Sequence, residues 1–584
     1  MTDDNTPTSN DQSVAFVVLR SGCPIQIPMA SIENAPKASR YFMPAVLLFC
    51  LAIGAFLRLD QLTTQVLIED EWHAVHQLIY YTPKQMVSTF GNADYSIPLV
   101  LFYWLQMNWW GVSELTLRQP SLLAGLATVI ALPAALRGRL DDRILALFAL
   151  LLSLSPFLVS YSRIARPYAI TLLSVYVALW CLERATRNGA VRWSLAAAYS
   201  VLCAIVVWTH PVTGPMLLAP LIALWWTALR GKRKSLPFRP LIILTGLTGV
   251  LMALAVLPPL FGDPTALAGK MDVDSVDLNT LIGATHLWFG TSSAAVALAC
   301  LGFAAAGWTV IWRATAAVGW VVLGLALTCL VLLVARPWWV NQPLAFGRYL
   351  LPAVPLLLLA VAAGVVRVGD AALRLKANDA ARPAWLLALV SPLLVIWWMN
   401  APLAELLERP NSYTQHSFYQ LDYRIAQNPM RAGLHSYPVS PFWVTLSSAP
   451  PGTITVAVAP FRYATYEWPA PLWERESRQR VIPAYLWGAC EANLPGEVPP
   501  DARFRFVNGV HIKDKDRLMS TGIDYLAFYK TTAIPGRSPP KPHCEAWMRE
   551  HYGAPYHEDE ALVVWKIRNA AVADSNAQSP TEDR

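Results

Sequence analysis

Eleven apolar runs in the first 400 residues of the chain limit its fold more than any other feature. A helix that crosses a bilayer needs about 20 predominantly apolar residues, and a water-soluble core does not need so many stretches of this kind. The composition agrees, since 55% of the residues are hydrophobic and only 15% are charged. The sequence therefore predicts an all-α polytopic membrane bundle of about 11 transmembrane helices. Allowing for ends broken by proline, the runs lie near residues 42–57, 117–136, 144–160, 167–182, 193–208, 212–229, 240–258, 293–312, 316–335, 349–366 and 384–399.

Arginine and lysine predict how this bundle is oriented. They cluster in every second connection between the runs, and positive residues close to span ends are retained on the cytoplasmic side. The other connections are poor in both residues, so we expect them to lie outside, as does the chain after residue 400, because the number of spans is odd. The positive clusters are at 137–143, 184–192, 230–239, 313 and 367–382, and the outer connections are 58–116, 161–166, 209–211, 259–292 and 336–348. The net charge of +7 thus follows from topology, and we predict no nucleic-acid partner.

The character of the chain changes at about residue 400, where proline and charge become frequent and spanning runs end. Short β-type runs and one charged, helix-compatible stretch follow, so we predict a soluble extracytoplasmic mixed α/β domain over 401–569. Its strands are expected at Thr453–Val458, Tyr525–Tyr529 and Ala561–Lys566, and its helix at Pro542–Tyr552. The remaining domains are a cytoplasmic N-terminal tail at 1–41, the transmembrane domain at 42–400 and a disordered tail at 570–584.

Two of the eight cysteines, Cys490 and Cys544, fall in the predicted extracytoplasmic domain. A disulfide between them fits an oxidising compartment, but the sequence is equally compatible with two free thiols. None of the eight cysteines has the spacing of a metal site. The pairing of Cys490 with Cys544 therefore stays open at this point.

A cluster of carboxylates follows the first apolar run and includes Asp70 and Glu71. Carboxylates beside a bilayer are costly and usually have a function. Because adjacent residues cannot share one helix face, one of the two can point into a cavity while the other braces the backbone or a neighbouring group. We therefore predict Asp70 as a catalytic base and Glu71 as its helper.

Asp94 lies later in the same external loop, 58–116, and precedes an aromatic-rich stretch. We predict that this stretch, Ile97–Trp110, is a helix lying in the membrane interface. Asp94 is either a substrate-binding carboxylate or a cap for that helix, although Ser96 is better placed as the cap. The acids would then lie between two helices at the outer membrane surface, where a lipid-borne substrate and a water-side acceptor can meet.

Two histidines, His73 and His76, lie close to the acidic pair and three residues apart. We assign His73 to substrate binding. A divalent metal held by Asp70, Glu71 and a histidine is an alternative, but no spacing here is diagnostic of one. The prediction is therefore that the protein uses no cofactor.

Three arginines lie on the outer side, where the topology otherwise excludes positive charge. Arg163 and Arg166 follow the third span, and Arg348 lies at the end of the connection 336–348. Since arginine forms bidentate bonds to phosphate oxygens, we predict that these residues bind an anionic lipid headgroup. The alternative is that they snorkel to bilayer phosphates or pair with acids structurally. His210, in an outward turn, is expected to touch the same phosphate or to act as a cap or turn residue.

The long outer connection 259–292 has the composition of a mobile loop, with Gly262, Gly269 and several aspartates. We expect it either to close over a bound substrate or to form an acidic surface loop.

Five short stretches, taken in order, carry a family resemblance. They are the Asp70-Glu71 pair, Trp110-Gly-Val-Ser-Glu-Leu-Thr-Leu-Arg-Gln-Pro120, Ser162-Arg-Ile-Ala-Arg-Pro-Tyr168, Trp208-Thr-His-Pro211 and Arg348-Tyr-Leu-Leu-Pro352. They resemble the GT-C membrane glycosyltransferases of the protein O-mannosyltransferase and aminoarabinose transferase type, glycosyltransferase family 39-like, over residues 42–400. The resemblance implies a multispan helical bundle with juxtamembrane helices in the first external loop. It also implies that Asp70 sits at the catalytic centre, with Glu71 beside it.

The chain departs from this family in the second half of the first loop. Many relatives carry a His-Pro-Pro-Leu-like or Lys-Pro-Pro-Leu-like stretch there, whereas this chain has Tyr95-Ser-Ile-Pro-Leu99 after Asp94. Only Pro98 and Leu99 match. The role of the family's basic residue is therefore open here, and Asp94 or His73 is expected to replace it in part.

The chemistry that these residues favour is glycosyl transfer. A sugar on a polyprenyl phosphate already has a good leaving group, so its departure needs cations near the phosphate more than a general acid. The acceptor hydroxyl needs a base, and one carboxylate favours an inverting single displacement, whereas a glycosidase places two carboxylates around the bond. We predict an inner-membrane enzyme that transfers a sugar from a polyprenyl-phosphate donor to a lipid, glycan or protein acceptor at the periplasmic face.

Two alternatives from other classes remain open. A polytopic transporter or lipid flippase would use the same acids and arginines as a conduction or gating path, although transporters place charged residues at mid-membrane more often than this chain does. A non-catalytic assembly protein would tolerate the loss of Asp70.

Overall fold

A computed structural model describes most of the membrane part and the centre of the C-terminal domain. The described residues are 37–60, 62, 69–187, 189–231, 236–291, 293–374, 391, 440–459, 473–474, 476–485, 510–511, 522–530 and 542–568. The predicted tails at 1–36 and 570–584 lie outside them, so the domain boundaries stay predictions.

Seventeen helices form the described membrane part. They are α1 Lys37–Leu59, α2 Glu69–Tyr80, α3 Pro83–Ser88, α4 Ile97–Trp109, α5 Glu114–Leu136, α6 Asp142–Leu154, α7 Pro156–Ser162, α8 Tyr168–Thr186, α9 Trp193–Thr209, α10 Gly214–Leu229, α11 Phe238–Gly262, α12 Pro264–Ala268, α13 Leu278–Phe289, α14 Ala294–Ala314, α15 Ala316–Ala335, α16 Pro343–Tyr349 and α17 Ala353–Arg374.

Seven helices of the described part are long and apolar enough to cross a membrane, and the bent pair α6–α7 makes eight. The apolar part of α1, from Met43, and α9 are shorter. Together these account for ten of the eleven predicted runs, and the run near 384–399 lies, apart from residue 391, outside the described residues. The predicted all-α membrane bundle is confirmed, and the described residues contain fewer full-length spans than the eleven expected for the chain.

The pair α6–α7 is one broken span that bends by 56°. The break lies at Pro156, which has no N–H to donate to the carbonyl of Leu152, its partner in a continuous helix. Arg58 of α1, which is fully buried, supplies donors instead: Nη2 bonds the Leu152 carbonyl at 3.3 Å and Nη1 bonds that of Ser153 at 3.2 Å. Its Nε donates to Ser162 Oγ at 3.2 Å. Because a bilayer offers no water to free carbonyls, Arg58 acts as the cap of the broken helix.

Helix α5 packs closely against α7 at Gly125. Gly125 faces Ser162, and a Cβ atom at position 125 would collide with the serine hydroxyl. Glycine is therefore required where these two helices meet. The turn that follows Ser162 is thus held by α1 and α5 together.

The first external loop folds into α2, α3 and α4, and α4 corresponds to the predicted interfacial helix. α3 starts with a capping box between Thr82 and Gln85. α2 and α4 pack around an apolar core that includes Val75, Phe90 and Tyr103. This core fixes the two helices that flank the candidate residues of the loop.

The outer connection 259–292 contains the end of α11 together with α12 and α13. Asp277 caps α13 through a capping box with Thr280. Between α12 and α13 the backbone is tied to the connection after α15, since the N–H of Asp272 bonds the carbonyl of Ala335 at 2.9 Å and Arg336 pairs with the Asp272 carboxylate at 2.7 Å. The aspartates of this connection are therefore used as caps and ties between outer segments.

A six-stranded sheet forms the described core of the C-terminal domain, in the order β3-β2-β1-β4-β6-β5. β1 pairs in parallel with β2 and β4, β2 with β3, and the pairs β4–β6 and β5–β6 are antiparallel. Alternate residues of β1 and β4 enter two separate apolar cores, as expected for central strands covered on both faces. The elements are α18 Pro441–Leu446, β1 Thr455–Ala459, β2 Arg480–Tyr485, β3 Val510–His511, β4 Tyr525–Tyr529, α19 Pro542–Tyr552, β5 His557–Glu558 and β6 Leu562–Lys566.

The sequence predicted β1, β4, β6 and α19 and missed the other three strands. Strand β2 is unusual, because it contains Pro483 in a parallel pair. Cys544 at the start of α19 is buried and disulfide-bonded. Cys490 lies outside the described residues.

Arg58→Met tests the role of Arg58 as a helix cap. The substitution keeps an unbranched side chain but leaves the carbonyls of Leu152 and Ser153 without its donors, at a cost of roughly 1–3 kcal/mol for each group. We expect a clearly lower unfolding temperature for the purified protein in detergent, followed by tryptophan fluorescence. Arg187→Met, at an exposed arginine, is the control. Equal unfolding temperatures for the two variants would refute the capping role.

Candidate functional site

A buried ion pair lies under the external loop. Arg118 of α5 donates from Nε to Glu71 Oε1 and from Nη2 to Oε2, both at 2.8 Å, and both side chains are almost fully buried. Arg118 Nη1 also bonds the carbonyl of Leu62 at 2.8 Å. Glu71 Oε1 in addition accepts the backbone N–H of Ala165 at 2.8 Å. This single pair therefore connects α2, α5 and the segment after α7.

Glu71 is thus the member of the acidic pair that braces its neighbours. Its carboxylate is bound by Arg118 and by the backbone N–H of Ala165. Asp70 lies in the first turn of α2, and its side chain is outside the described part of the structure. The base role of Asp70 stays a prediction.

Asp94 pairs with Arg166 and lies next to His73. Arg166 Nη1 donates to Asp94 Oδ2, and His73 Nδ1 is 3.7 Å from Asp94 Oδ1. Asp94 does not cap α4, because Ser96 occupies that position. Both Asp94 and Tyr95 adopt positive φ angles, of 45° and 60°. Two consecutive left-handed residues that are not glycine are costly, and such strain is concentrated at functional sites.

Arg348 and His210 face the same region from α16 and from the end of α9. The Arg348 guanidinium lies 5.4 Å from the centre of the Tyr168 ring and 5.7 Å from that of Tyr349. The Arg166 guanidinium lies 5.9 Å from the centre of the same Tyr168 ring. His210 packs against Tyr168 at 5.5 Å and Tyr349 at 5.9 Å. Three of the predicted binding residues, Arg166, Arg348 and His210, are therefore joined through two tyrosine rings, and Asp94 is joined to them through Arg166.

The surroundings of His210 disfavour its charged form. Burial, followed by the nearby Arg348 and Arg166, lowers the pKa of its imidazole to about 3. Its Nδ1 is buried and has no hydrogen-bond partner among the described residues. An orphaned polar atom between two guanidinium groups is a candidate contact for a ligand. His210 also caps the C-terminal end of α9, but through its backbone N–H and not through its imidazole.

Arg163 does not reach these residues. Its side chain is 6% exposed and donates from Nη1 to the carbonyl of Leu57 at 2.7 Å. Burial, with a smaller contribution from Arg118, lowers its pKa to about 10. The structure thus supports the structural alternative for Arg163, which anchors the segment that leads to Arg166.

Lys270 and Tyr95 belong to the site, although the sequence did not single them out. Lys270, just after α12, places Nζ 3.9 Å from the centre of the Tyr95 ring. The Tyr95 hydroxyl donates to the carbonyl of Ala266 at 2.6 Å. Burial, and then Asp94, raises the pKa of Tyr95 to about 12. The sequence did offer a signal for Lys270, since it is a lone lysine in an outer connection that is poor in positive charge. The same kind of signal selected Arg166 and Arg348.

We call these side chains the outer cluster: His73, Asp94, Tyr95, Arg166, Tyr168, His210, Lys270, Arg348 and Tyr349. Three permanent cations, Arg166, Lys270 and Arg348, outnumber its one carboxylate, Asp94. Such an excess beside an apolar bundle suits a phosphate group on a lipid. No group of three or more His, Cys, Asp or Glu side chains within the described residues is placed to hold a metal ion. Glu71, one ligand of the metal alternative, has its carboxylate bound by Arg118.

One family model matches the chain, over residues 97–260, and it is described as dolichyl-phosphate-mannose-protein mannosyltransferase. This match covers three of the five stretches that carried the resemblance, those at 110–120, 162–168 and 208–211. The resemblance to the GT-C membrane glycosyltransferases is therefore confirmed for this part of the chain. No curated protein matches.

Several solved structures are similar to the whole chain at low identity. ArnT from Cupriavidus metallidurans in the apo state matches 91% of this chain and 98% of its own length, with 11% identity and a TM-score of 0.44. The same protein bound to undecaprenyl phosphate matches 92% and 99%, with 12% identity and a TM-score of 0.40. The apo oligosaccharyltransferase of Archaeoglobus fulgidus matches 84% and 70%, with 12% identity and a TM-score of 0.45.

A double-mutant cycle tests the pair Glu71–Arg118. Glu71→Leu or Arg118→Leu alone leaves a buried charge uncompensated, which costs roughly 3–5 kcal/mol. The double variant removes both charges and is expected to unfold at a higher temperature than either single variant. The same cycle on Glu545 and Arg549, an ion pair of α19 whose side chains are 30% and 36% exposed, should show weaker coupling. Additive effects at Glu71 and Arg118 would contradict the assignment.

Proposed function

We propose that this protein is a membrane glycosyltransferase that moves a sugar from a polyprenyl-phosphate donor to an acceptor at the outer, periplasmic face of the inner membrane. The observation that carries the proposal is the excess of cations in the outer cluster, next to the helix that bears Asp70. The family match supports it, because the matched family is described by a dolichyl-phosphate sugar donor. The acceptor is a lipid, a glycan or a protein hydroxyl.

Arg166, Arg348 and Lys270 bind the phosphate of the donor. As the bond between the sugar and the phosphate breaks, the leaving polyprenyl phosphate gains negative charge. Cations that are fixed in place before the reaction stabilise this charge more effectively than water does, because they do not have to reorient. The pairing of Arg166 with Asp94 and the rings around Arg348 hold these two guanidinium groups in position.

His210 contributes a hydrogen bond and no charge. The low pKa of His210, about 3, keeps its imidazole neutral at physiological pH. A neutral ring has one N–H donor and one acceptor nitrogen, and Nδ1 is buried without a hydrogen-bond partner among the described residues. We assign its N–H as a donor to a phosphate oxygen of the donor substrate.

Asp70 is the base. It takes the proton of the acceptor hydroxyl while the acceptor oxygen attacks the anomeric carbon from the side opposite the phosphate, so the configuration inverts. Glu71 is unsuited to this step, since its carboxylate is bound to Arg118. Its place next to Asp70 instead fixes the first turn of α2 against α5 and the segment after α7.

The direct test is sugar transfer in membranes that contain the wild-type protein or Asp70→Asn. The donors are radiolabelled undecaprenyl phosphates carrying mannose, glucose, galactose or 4-amino-arabinose, with mannose first because of the family match. Asn keeps the volume of Asp but cannot accept the proton, so we expect a loss of roughly 100-fold or more. Equal insertion of both proteins is checked by blotting, and Asp272→Asn, at an exposed aspartate of the outer side, is the matched control.

Two results would count against the proposal. If the wild-type protein consumes no donor, a transporter or flippase becomes the better account of the outer cluster. If transfer occurs and Asp70→Asn is as active as the wild type, the enzyme stands but its base is another group.

A further inference from the structure

A cavity of about 590 Å³ lies inside the membrane bundle, between α5, α6, α8, α15 and α17. Helix α8 begins in the outer cluster, at Tyr168, and the cavity follows its other half, from Tyr176 to Glu183. We propose that this cavity binds one acyl chain of an anionic phospholipid from the leaflet opposite the outer cluster, with the lipid phosphate at Arg139. None of the described residues that line the cavity belongs to the outer cluster, so the site is separate from the one proposed for sugar transfer.

The wall of the cavity is apolar over most of its length, and its apolar members include Leu132, Phe148, Leu179, Val318 and Leu356. The hydroxyl of Tyr176 already donates to the carbonyl of Pro352 at 2.7 Å. A buried water molecule needs two to four polar partners, so this part of the cavity holds water poorly. Hydrocarbon is the filler that such a lining suits, and a bilayer supplies it.

The dimensions of the cavity fit one acyl chain. Tyr176 and Glu183 are separated by about 10 Å along α8, at roughly 1.5 Å of rise per residue. The hydrocarbon of one leaflet is about 15 Å thick, half of a core of about 30 Å. The cavity therefore follows most of the depth of one leaflet. Its volume is also in the range of small-molecule sites, about 300–1,000 Å³.

A polar group lies at the end of the cavity that is farther from the outer cluster. Arg139 Nη1 donates to both carboxylate oxygens of Glu183 at 2.7 Å and to Thr315 Oγ1 at 3.0 Å. The Thr315 hydroxyl donates in turn to Glu183 Oε1 at 2.7 Å. Arg139 is thus held in place by two elements, with a side chain that is 15% exposed.

The contacts of Arg139 leave one edge of its guanidinium group unused. All its bonds to described residues come from Nη1, so Nε and Nη2 donate to none of them. The Nε and Nη2 N–H groups point in parallel and match two oxygens of a phosphate, as they match a carboxylate in the pair of Arg118 with Glu71. Arg139 can therefore bind a phosphate group while it keeps its contact with Glu183.

The charge at this end of the cavity favours an anionic headgroup. Arg184 lies with its guanidinium carbon 5.2 Å from the ring centre of Trp180, which lines the cavity. Arg139 and Arg184 bring two positive charges, and Glu183 brings one negative charge. Basic pockets between membrane helices bind anionic lipid headgroups. A bilayer phospholipid is favoured over a polyprenyl phosphate, because the latter is assigned to the outer cluster on the other leaflet.

The first experiment measures lipid binding to the purified, delipidated protein in detergent by native mass spectrometry. The probes are phosphatidylglycerol, phosphatidylcholine and undecaprenyl phosphate. We expect one phosphatidylglycerol to bind roughly tenfold more tightly than phosphatidylcholine, and its binding to weaken as salt is raised. Undecaprenyl phosphate should not displace it.

Ala317→Phe tests the cavity itself. Ala317 lines the cavity, so a phenyl ring at this position takes up the space of the acyl chain and leaves the contact of Arg139 with Glu183 in place. We expect phosphatidylglycerol to bind at least tenfold more weakly. Ala316→Phe is the matched control, because Ala316 is exposed and is not among the lining residues.

Arg139→Gln tests the phosphate contact. It removes a charge-assisted bidentate bond, so the affinity for phosphatidylglycerol should fall roughly tenfold. Arg137→Gln, at an exposed arginine two residues earlier, should bind like the wild type. Since Arg139→Gln also breaks the contact with Glu183, the unfolding temperature of each variant is measured alongside, and Ala317→Phe remains informative if Arg139→Gln does not fold.

A phosphatidylglycerol with a photoreactive diazirine in its acyl chain locates the bound lipid. After irradiation and digestion, we expect the label on peptides from the second half of α8, near Trp180, or from the start of α15, near Val318. The label should be lost in Ala317→Phe and retained in Ala316→Phe.

Four results would overturn the proposal. They are equal phosphatidylglycerol binding by Ala317→Phe and the wild type, a label confined to other helices, equal affinity for phosphatidylglycerol and phosphatidylcholine, and displacement by undecaprenyl phosphate. The last result would instead assign the cavity to the polyprenyl lipid. None of these measurements requires sugar transfer, so they stand whether or not the proposed function does.

Discussion

The buried ion pair between Glu71 and Arg118 is the interaction on which the outer side of this protein depends. Two charges taken out of water are costly unless their hydrogen bonds are complete, and here they are joined by two bonds of 2.8 Å. Arg118 also donates a hydrogen bond to the carbonyl of Leu62, and Glu71 also accepts one from the N–H of Ala165. The pair therefore fixes α2, which carries Asp70 and His73, relative to the segment that carries Arg166.

That segment, residues 162–166, is anchored at almost every position. Arg58 donates a hydrogen bond to the hydroxyl of Ser162, and Arg163 donates one to the carbonyl of Leu57. The N–H of Ala165 donates to the carboxylate of Glu71. The hydroxyl of Ser121 donates to the carbonyl of Arg166 at 2.7 Å. Three of these contacts come from α1 and α5, and the fourth comes from α2 of the external loop. The guanidinium of Arg166 is thus presented to Asp94 from a rigid backbone, as preorganised electrostatic catalysis requires. The broken span α6–α7 is what turns the chain outward at this point, and Arg58 satisfies the backbone of the break.

Much of this architecture was predictable from the sequence, because long apolar runs and the alternation of positive loops are strong signals. The strands β1, β4 and β6 were found from their apolar runs. Strand β2 was missed because Pro483 argues against a strand, and β3 and β5 are only two residues long. Within the described residues, full-length spans are fewer than the apolar runs because α6–α7 breaks at Pro156 and because Met43–Leu59 and α9 are short.

The site was predictable in part. Misplaced positive charge selected Arg166 and Arg348, and its place before the predicted interfacial helix selected Asp94. The structure brings these three residues together, but the misplaced charge also selected Arg163, which turns inward to Leu57. Sequence alone cannot show the direction of a side chain at the end of a span. Lys270 and Tyr95 are in contact although they are far apart in the chain. Arg118 lies in one of the stretches that carry the family resemblance, but the sequence did not indicate its pairing with Glu71. Such tertiary pairings follow from packing, which no local pattern encodes.

The central claim is that the outer cluster binds the phosphate of a polyprenyl lipid. The most direct measurement is the binding of undecaprenyl phosphate to the purified protein, with Arg348→Met compared with Arg336→Met, an exposed arginine of the outer side that pairs with Asp272. A charge-assisted contact contributes about 1.5–3 kcal/mol, so Arg348→Met should weaken binding roughly tenfold or more, and wild-type binding should weaken as salt is raised. The Arg336 variant should bind like the wild type. Equal affinities for all three proteins would contradict the account.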